Sequence, residues 1–335
     1  MSLKQPLFVS LIILIYFFGE ACDKESDPVS TAHKTYDTPY GTVTQINDYP
    51  LYTLDYTSDY RFDEYLQTGN IPFNGSGNVN RGNYNCTCFA AFGGDNRLLG
   101  RNYDWPEVTS YYVVTTRPPN GYSSVSTVDM TFFDYQHDES PDSDANLDML
   151  HTLPYFPFDG MNEKGVAVGM NAIPGARSPF DPFKVTIGEL QLIRLVLDKA
   201  SSTREALTLI RQYNIRMETP PIHYLIADSS GQSVIVEFVE GRMETIENPD
   251  PWQVSTNFII TGLTNPQNAP CWRYLTAYEI LSSSNGLLSG VEAWQLLQNV
   301  SVSSTRWSTV FNLRNAQVQI AMGRDYENLH FFIVP

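Results

Sequence analysis

The feature that most constrains this chain is a composition boundary at Cys86. Residues 72–85 (PFNGSGNVNRGNYN) contain nine Gly, Asn or Ser in fourteen. A stretch so poor in apolar side chains cannot bury enough surface to offset its conformational entropy, so it reads as an exposed loop. Cys86 then opens the apolar run CTCFAAF, the pattern of a buried strand. A packed core therefore begins at Cys86, with a cysteine as its first residue. Beyond it, strand patterns cover 87–92, 97–103, 111–116, 124–135 and 165–172. Ile187, Leu190, Ile193 and Leu197 recur at helical spacing through residue 199, and Ser202 with Glu205 makes a capping-box pattern that opens a second helix through 213. Residues 223–228 and 233–239 flank a Ser-Ser-Gly-Gln turn. Helical patterns at 272–281 and 291–300 precede a last hairpin, 307–313 with 317–322. Strand blocks alternating with helix pairs predict an α+β layered domain over 86–335.

The residues before the boundary read differently. Lys4 followed by LFVSLIILIYFF at 7–18 gives a charged start and twelve apolar-rich residues. That is too short for a membrane span of about 20 residues, but it suits a signal peptide ending at residue 21. Gly19-Glu20-Ala21 places small residues before Cys22, and a cysteine at that position also resembles a lipid-anchoring site. The expected location is therefore outside the cytoplasm, periplasmic or at the cell surface, with membrane attachment through lipidated Cys22 left open. Residues 22–85 are then a polar tether and a propeptide, with a small ordered Tyr- and Asp-rich segment at 36–66. Lys and Arg number 21 against 37 Asp and Glu, a net charge of −16; a surface this acidic argues against nucleic-acid binding. Four cysteines in 335 residues are too few for a disulfide scaffold.

Common catalytic motifs are missing: no H-E-x-x-H, no G-x-S-x-G, no P-loop and no G-x-G-x-x-G. Asp142-Ser143-Asp144 begins like a calcium loop, but Leu147 and Leu153 stand where the turn glycine and the bidentate glutamate belong, so a solvated acidic loop is expected. The informative pattern is Cys86-Thr87-Cys88, followed by Arg101 and Asp104, 15 and 18 residues after Cys86. Two strands joined at Gly93-Gly94-Asp95-Asn96 would pair antiparallel and return both charges to Cys86. If Cys86 becomes a chain terminus, its α-amine, with a pKa of about 7.7–8.0, can act as base for its own thiol. Arg101 would favour the thiolate, and Asp104 would orient the amine.

At these residues the sequence resembles the N-terminal-nucleophile hydrolases of the choloylglycine hydrolase group, which includes bile salt hydrolases, penicillin V acylases and the acyl-CoA:6-aminopenicillanate acyltransferase-like branch. Cys86-Thr87 and Gly100-Arg101-Asn102-Tyr103-Asp104 match that family's opening. Downstream, Asp159-Gly160-Met161-Asn162-Glu163-Lys164-Gly165, His223 to Asp228 with Val236-Glu237, Ser255-Thr256-Asn257, Cys271-Trp272-Arg273-Tyr274 and Arg306 to Val310 match further segments. The resemblance implies a four-layer αββα sandwich. It also implies Cys86 as nucleophile, Asn171 and Asn257 as site asparagines, Arg273 near the nucleophile, and no requirement for a metal or cofactor. Two departures stand out: Thr256-Asn257-Phe258 lacks the second asparagine and proline of bile salt hydrolases, and Asn171 comes one residue early. The reading implied is an exported zymogen that frees Cys86 by self-cleavage and then cleaves, or transfers the acyl group of, a small-molecule N-acyl amide. Open alternatives are a non-catalytic surface lipoprotein on the same fold and a papain-like protease using Cys271 with His330. Pairing of Cys88 with Cys271 and a homo-oligomeric state also stay open.

Overall fold

The computed structural model describes residues 33–72, 86–107, 109–133, 135–217 and 221–335. The expected signal peptide, Cys22 and all but the first residue of the Gly-, Asn- and Ser-rich stretch lie outside them. In chain order the strands begin with β1 (Thr35–Thr38), β2 (Gly41–Asn47) and β3 (Leu51–Tyr56), followed by helix α1 (Phe62–Thr68). Next come β4 (Thr87–Ala91), β5 (Leu98–Asp104), β6 (Tyr111–Thr116), β7 (Ser124–Asp129), α2 (Asp144–Thr152), β8 (Asp159–Asn162) and β9 (Ala167–Ala172). A short pair, β10 (Thr186–Gly188) and β11 (Asn214–Arg216), brackets α3 (Glu189–Lys199) and α4 (Thr203–Ile210). The chain finishes with β12 (Ile222–Ala227), β13 (Ser233–Val239), β14 (Arg242–Glu247), β15 (Trp252–Ser255), α5 (Trp272–Ser283), α6 (Gly290–Asn299), β16 (Thr305–Asn312), β17 (Gln317–Met322) and β18 (His330–Ile333).

Two sheets organise these elements. One runs β1-β2-β3-β6-β7-β8-β9-β12-β13-β14, the other β15-β4-β5-β16-β17-β18. They face each other through β4 and β9, while α3 covers the first sheet and α5 and α6 cover the second. The expected αββα layering is the observed one. Strand β4 is buried at every residue, which explains its unbroken apolar pattern: with a sheet on one face and α5 on the other, neither side can be polar. Helix α3 buries Leu192, Ile193, Val196 and Leu197 completely, each worth about 1.5–3 kcal/mol of apolar burial. Ser202 caps α4 by accepting from the Glu205 amide, and Ser289 with Glu292 forms a full capping box on α6.

Three local expectations are corrected. The acidic segment at 142–146 is not a free loop but the start of α2, because buried Asn146 bonds the backbone of Gln136 and Ser140. Strand β7 stops at Asp129, whose carboxylate accepts from the Thr131 amide and turns the chain. Residues 36–66 are more than a small segment: β3 runs parallel to β6 and carries β1 and β2 with it. Tyr60, Phe62 and Tyr65 pack edge-on against Tyr155. The Tyr60 hydroxyl donates to the buried Asp198 carboxylate at 2.8 Å, and Asp198 is also paired to buried Arg194 at 2.9 Å.

Candidate active site

Cys86 immediately precedes β4 and is almost fully buried. The antiparallel return is as expected: Thr87 pairs with Asn102 and Cys88 with Arg101 across β4 and β5. On the other side Cys88 pairs with Ser255 of β15. Because side chains alternate along a strand, Cys86 and Cys88 share the face directed at the large sheet, where Gly169 of β9 lies. A Cβ on Gly169 would come within 2.9 Å of the Cys88 sulfur and 3.4 Å of the Arg101 Cδ, so glycine there makes room for both.

Arg273, on the first turn of α5, is buried and reaches into this corner. Its Nη1 donates to the Cys86 carbonyl oxygen at 2.5 Å and to Thr87 Oγ1 at 2.8 Å; its Nη2 donates to Asn257 Oδ1 at 3.0 Å. A planar guanidinium can serve these divergent acceptors at once. Asn257 sits at the centre of a three-residue turn closed by a bond from the Phe258 amide to the Thr256 carbonyl, and it donates to the Ala172 carbonyl at 2.8 Å.

Asp104 is fully enclosed. Thr305 Oγ1 donates to its Oδ1 at 2.5 Å, while Oδ2 is buried without a hydrogen-bond partner and lies 3.8 Å from Arg273 Nη1. Burial pushes its pKa up to about 7, against the pull of the Thr305 hydrogen bond and of Arg273 and Arg101. The Cys86 thiol is also pushed up by burial; Arg101, a backbone hydrogen bond from Asp104 and Arg273 pull it down, and the Asp104 carboxylate pushes it up. Cys88, deeper still, is raised to about 12, chiefly by burial. Its thiol is therefore the worse nucleophile of the two.

Arg101 acts on Cys86 through charge rather than contact. Its Nη1 is held by Asp159 Oδ2 at 2.6 Å and the Phe158 carbonyl at 2.7 Å, and its Nε and Nη2 are buried without hydrogen-bond partners. Asp159 is fixed in turn by Thr127 and the Trp307 indole. Asn171 accepts from Ser255 Oγ at 2.7 Å, while its amide nitrogen is buried without a hydrogen-bond partner. It stands across from His223, and the His223 ring bridges Glu237 Oε1 and the Thr256 carbonyl, each at 2.8 Å.

All six residues expected at the site therefore lie around β4. Cys86, Asp104, Asn257 and Arg273 are linked by short contacts, with Arg101 and Asn171 on the inter-sheet side. Asp159, Ser255, Thr305 and the His223–Glu237 pair were not picked out as site residues. All of these but Thr305 lie in motifs recognisable in the sequence, but their partners are brought up only by the sheet packing. Cys86, Cys88 and Cys271 are free, so Cys88 and Cys271 do not pair. Cys271 occupies the N-cap position of α5 without a side-chain capping bond, and the His330 ring bonds Asn47 at 3.1 Å. Among the described residues no group of three or more His, Cys, Asp or Glu could hold a metal ion.

A cysteine heading the inner strand of an αββα sandwich, ringed by arginine, aspartate and asparagine, is the arrangement that the resemblance to N-terminal-nucleophile hydrolases led one to expect. Solved structures agree on the fold. Penicillin V acylase from Agrobacterium tumefaciens superposes with a TM-score of 0.52 at 18% identity, covering 74% of this chain and 86% of that one. A mutant conjugated bile acid hydrolase from Clostridium perfringens gives 0.54 at 17% identity, covering 74% and 92%. A curated relative, an uncharacterized protein of Paramecium bursaria Chlorella virus 1, is 27% identical over 101 residues; the match spans only 36% of its length and 27% of this chain. Residues 86–265 match the linear amide C–N hydrolases, choloylglycine hydrolase family, and the chain belongs to that family.

Proposed function

We propose that the protein is an exported, self-processing cysteine hydrolase of linear N-acyl amides in which Cys86 becomes the N-terminal nucleophile. Export rests on the short apolar run at 7–18, and Cys22 is the residue by which the chain would attach to a membrane. The observation that carries the catalytic reading is the corner at Cys86. Arg273 fixes the carbonyl of a buried cysteine, beside a buried carboxylate with one oxygen that accepts no hydrogen bond.

In self-cleavage the Cys86 sulfur adds to the Asn85 carbonyl carbon, the C–N bond breaks, and the nitrogen takes the thiol proton. Water then hydrolyses the thioester, leaving residues 22–85 as the cleaved propeptide and a free α-amine on Cys86. That amine, cationic when it has taken the thiol proton, is the group the open Asp104 oxygen would receive. The thiolate attacks a substrate amide carbonyl, and the developing oxyanion is met by N–H groups of Asn171 and Asn257. Loss of one such donor costs about 2.7–4 kcal/mol in a well-studied enzyme. The α-ammonium protonates the leaving amine, and water or another amine takes the acyl group from sulfur. The similar enzymes make penicillin V and conjugated bile acids the first substrates to try.

Intact mass and N-terminal sequencing test this reading. The purified protein should begin Cys86-Thr87-Cys88-Phe89 and the Cys86→Ala variant should stay joined. A wild-type chain still joined through Asn85–Cys86 refutes it.

A further inference from the structure

His223 is the one buried histidine of five, with no exposed surface, and neither of its ring nitrogens faces a donor. Nε2 meets the Thr256 carbonyl, which can only accept, so Nε2 carries a proton. Nδ1 meets Glu237 Oε1 at 2.8 Å, a separation that requires a second proton between them, since a bare nitrogen lone pair would face a carboxylate lone pair. Glu237 also accepts from the Ile260 amide on Oε1 and the Thr261 amide on Oε2, both at 2.8 Å. Two backbone amides, which can only donate, hold both carboxylate oxygens, the environment that favours its ionised form; the second proton therefore belongs to Nδ1. From β9 the residue opposite His223 is Asn171, which does not titrate, so Glu237 on β13 is the charged group facing the ring.

We infer that His223 is a positioning residue, a buried doubly protonated imidazole that ties the Thr256 carbonyl to the Glu237 carboxylate and so fixes the turn presenting Asn257. The Thr256 carbonyl it grips is the one that closes that turn by accepting from the Phe258 amide. Glu237 holds the following residues, 260 and 261, from the same carboxylate. Both ends of the loop are thus pinned to one ion pair, and Asn257 in between keeps its bonds to Ala172 and Arg273. The link to catalysis rests on the proposed roles of Asn257 and Cys86.

Two measurements test it. In imidazole-selective NMR of the wild-type chain, His223 should give two slowly exchanging ring N–H protons at pH 7; a single ring proton overturns the inference whatever the variants do. The self-cleavage rate is then compared in His223→Gln, Asn257→Ala and the double variant. Each single change should slow cleavage roughly 10–100-fold, the cost of displacing a reacting group by about an ångström. The double variant should be no slower than Asn257→Ala, because His223 acts through Asn257; losses that multiply overturn the positioning role. A wild-type chain that never cleaves itself would refute the proposed function and leave the ring-proton result standing.

Discussion

The buried carboxyl of Asp104 makes a quantitative prediction about the uncut chain. Its pKa stands at about 7 against 3.8 for the free group, mainly because burial disfavours the charged form. The difference is about 3 units, or about 4 kcal/mol at 1.36 kcal/mol per unit. The folded chain holds this proton more tightly than the unfolded chain, so between pH 3.8 and 7 it carries the extra proton and its stability falls as pH rises. Above pH 7 the full penalty applies, and below 3.8 there is none. Asparagine is neutral throughout and removes the penalty, and the value of about 7 already includes the attraction to Arg273 at 3.8 Å. Asp104→Asn should therefore stabilise the intact chain by about 4 kcal/mol at pH 8. At pH 4, where Asp104 is itself protonated, the two should agree within about 1 kcal/mol. Urea unfolding at pH 4, 6 and 8 measures this, with Cys86→Ala in both proteins to prevent cleavage. Asp129, raised to about 6, titrates in both and cancels in the difference. A gap that does not change with pH, or one that shrinks toward pH 8, refutes the reasoning.

Arg273→Met strands the acceptors at Cys86, Thr87 and Asn257 and should cost about 3–5 kcal/mol, the usual penalty for breaking a buried charged cluster; Arg273→Lys should recover less than half of it in thermal or urea unfolding, since one ammonium cannot serve both sides. After cleavage the fragment ending at Asn85 should co-elute with the larger one on gel filtration and separate only in denaturant, because β3 is a strand of the large sheet and Tyr60 bonds Asp198; separation in native buffer would contradict this. Gly169→Ala should destabilise by about 1–3 kcal/mol through contact with the Cys88 sulfur, and adding Cys88→Ala should restore part of that; no restoration would place the strain elsewhere.

What the sequence disclosed follows from how far each signal reaches along the chain. Strands β4, β5, β6, β12, β13, β16 and β17 and helices α3 to α6 carry local periodicity, and their patterns predict them to within a few residues. Strands β8, β14, β15 and β18 are short or half-exposed, and a four-residue strand such as β18 carries little periodicity to read. The segment before Cys86 misled for another reason. Its tyrosines and aspartates look like surface, yet Tyr56, Tyr60 and Tyr65 are buried because their hydroxyls find partners at the His151 carbonyl, the Asp198 carboxylate and the Gly188 amide. Composition alone cannot reveal such pairings, since each joins residues 95 or more positions apart.

The same reasoning separates what could be read of the site from what could not. Cys86, Arg101 and Asp104 lie within one hairpin, so spacing alone brings them together. Asn171, Asn257 and Arg273 come from β9, a turn and α5; resemblance pointed to them, but only the packed sheets give them a geometry. That geometry also explains a role spacing could not suggest. The expected service of Arg101 to the thiolate needs its guanidinium held in place, and the residue that holds it is Asp159, 58 positions away. Fully paired to Asp159, Arg101 would be neutralised; its Nε and Nη2 lack hydrogen bonds, and its charge lowers the thiol pKa values of both cysteines. Asp159 thus orients the cation on one side and leaves its field open on the other, and Asp159→Asn should loosen Arg101 without removing its charge. The rate of Cys86 alkylation against pH should then shift toward lower pH, because no carboxylate offsets the field of Arg101, whereas Arg101→Met should shift the profile toward higher pH.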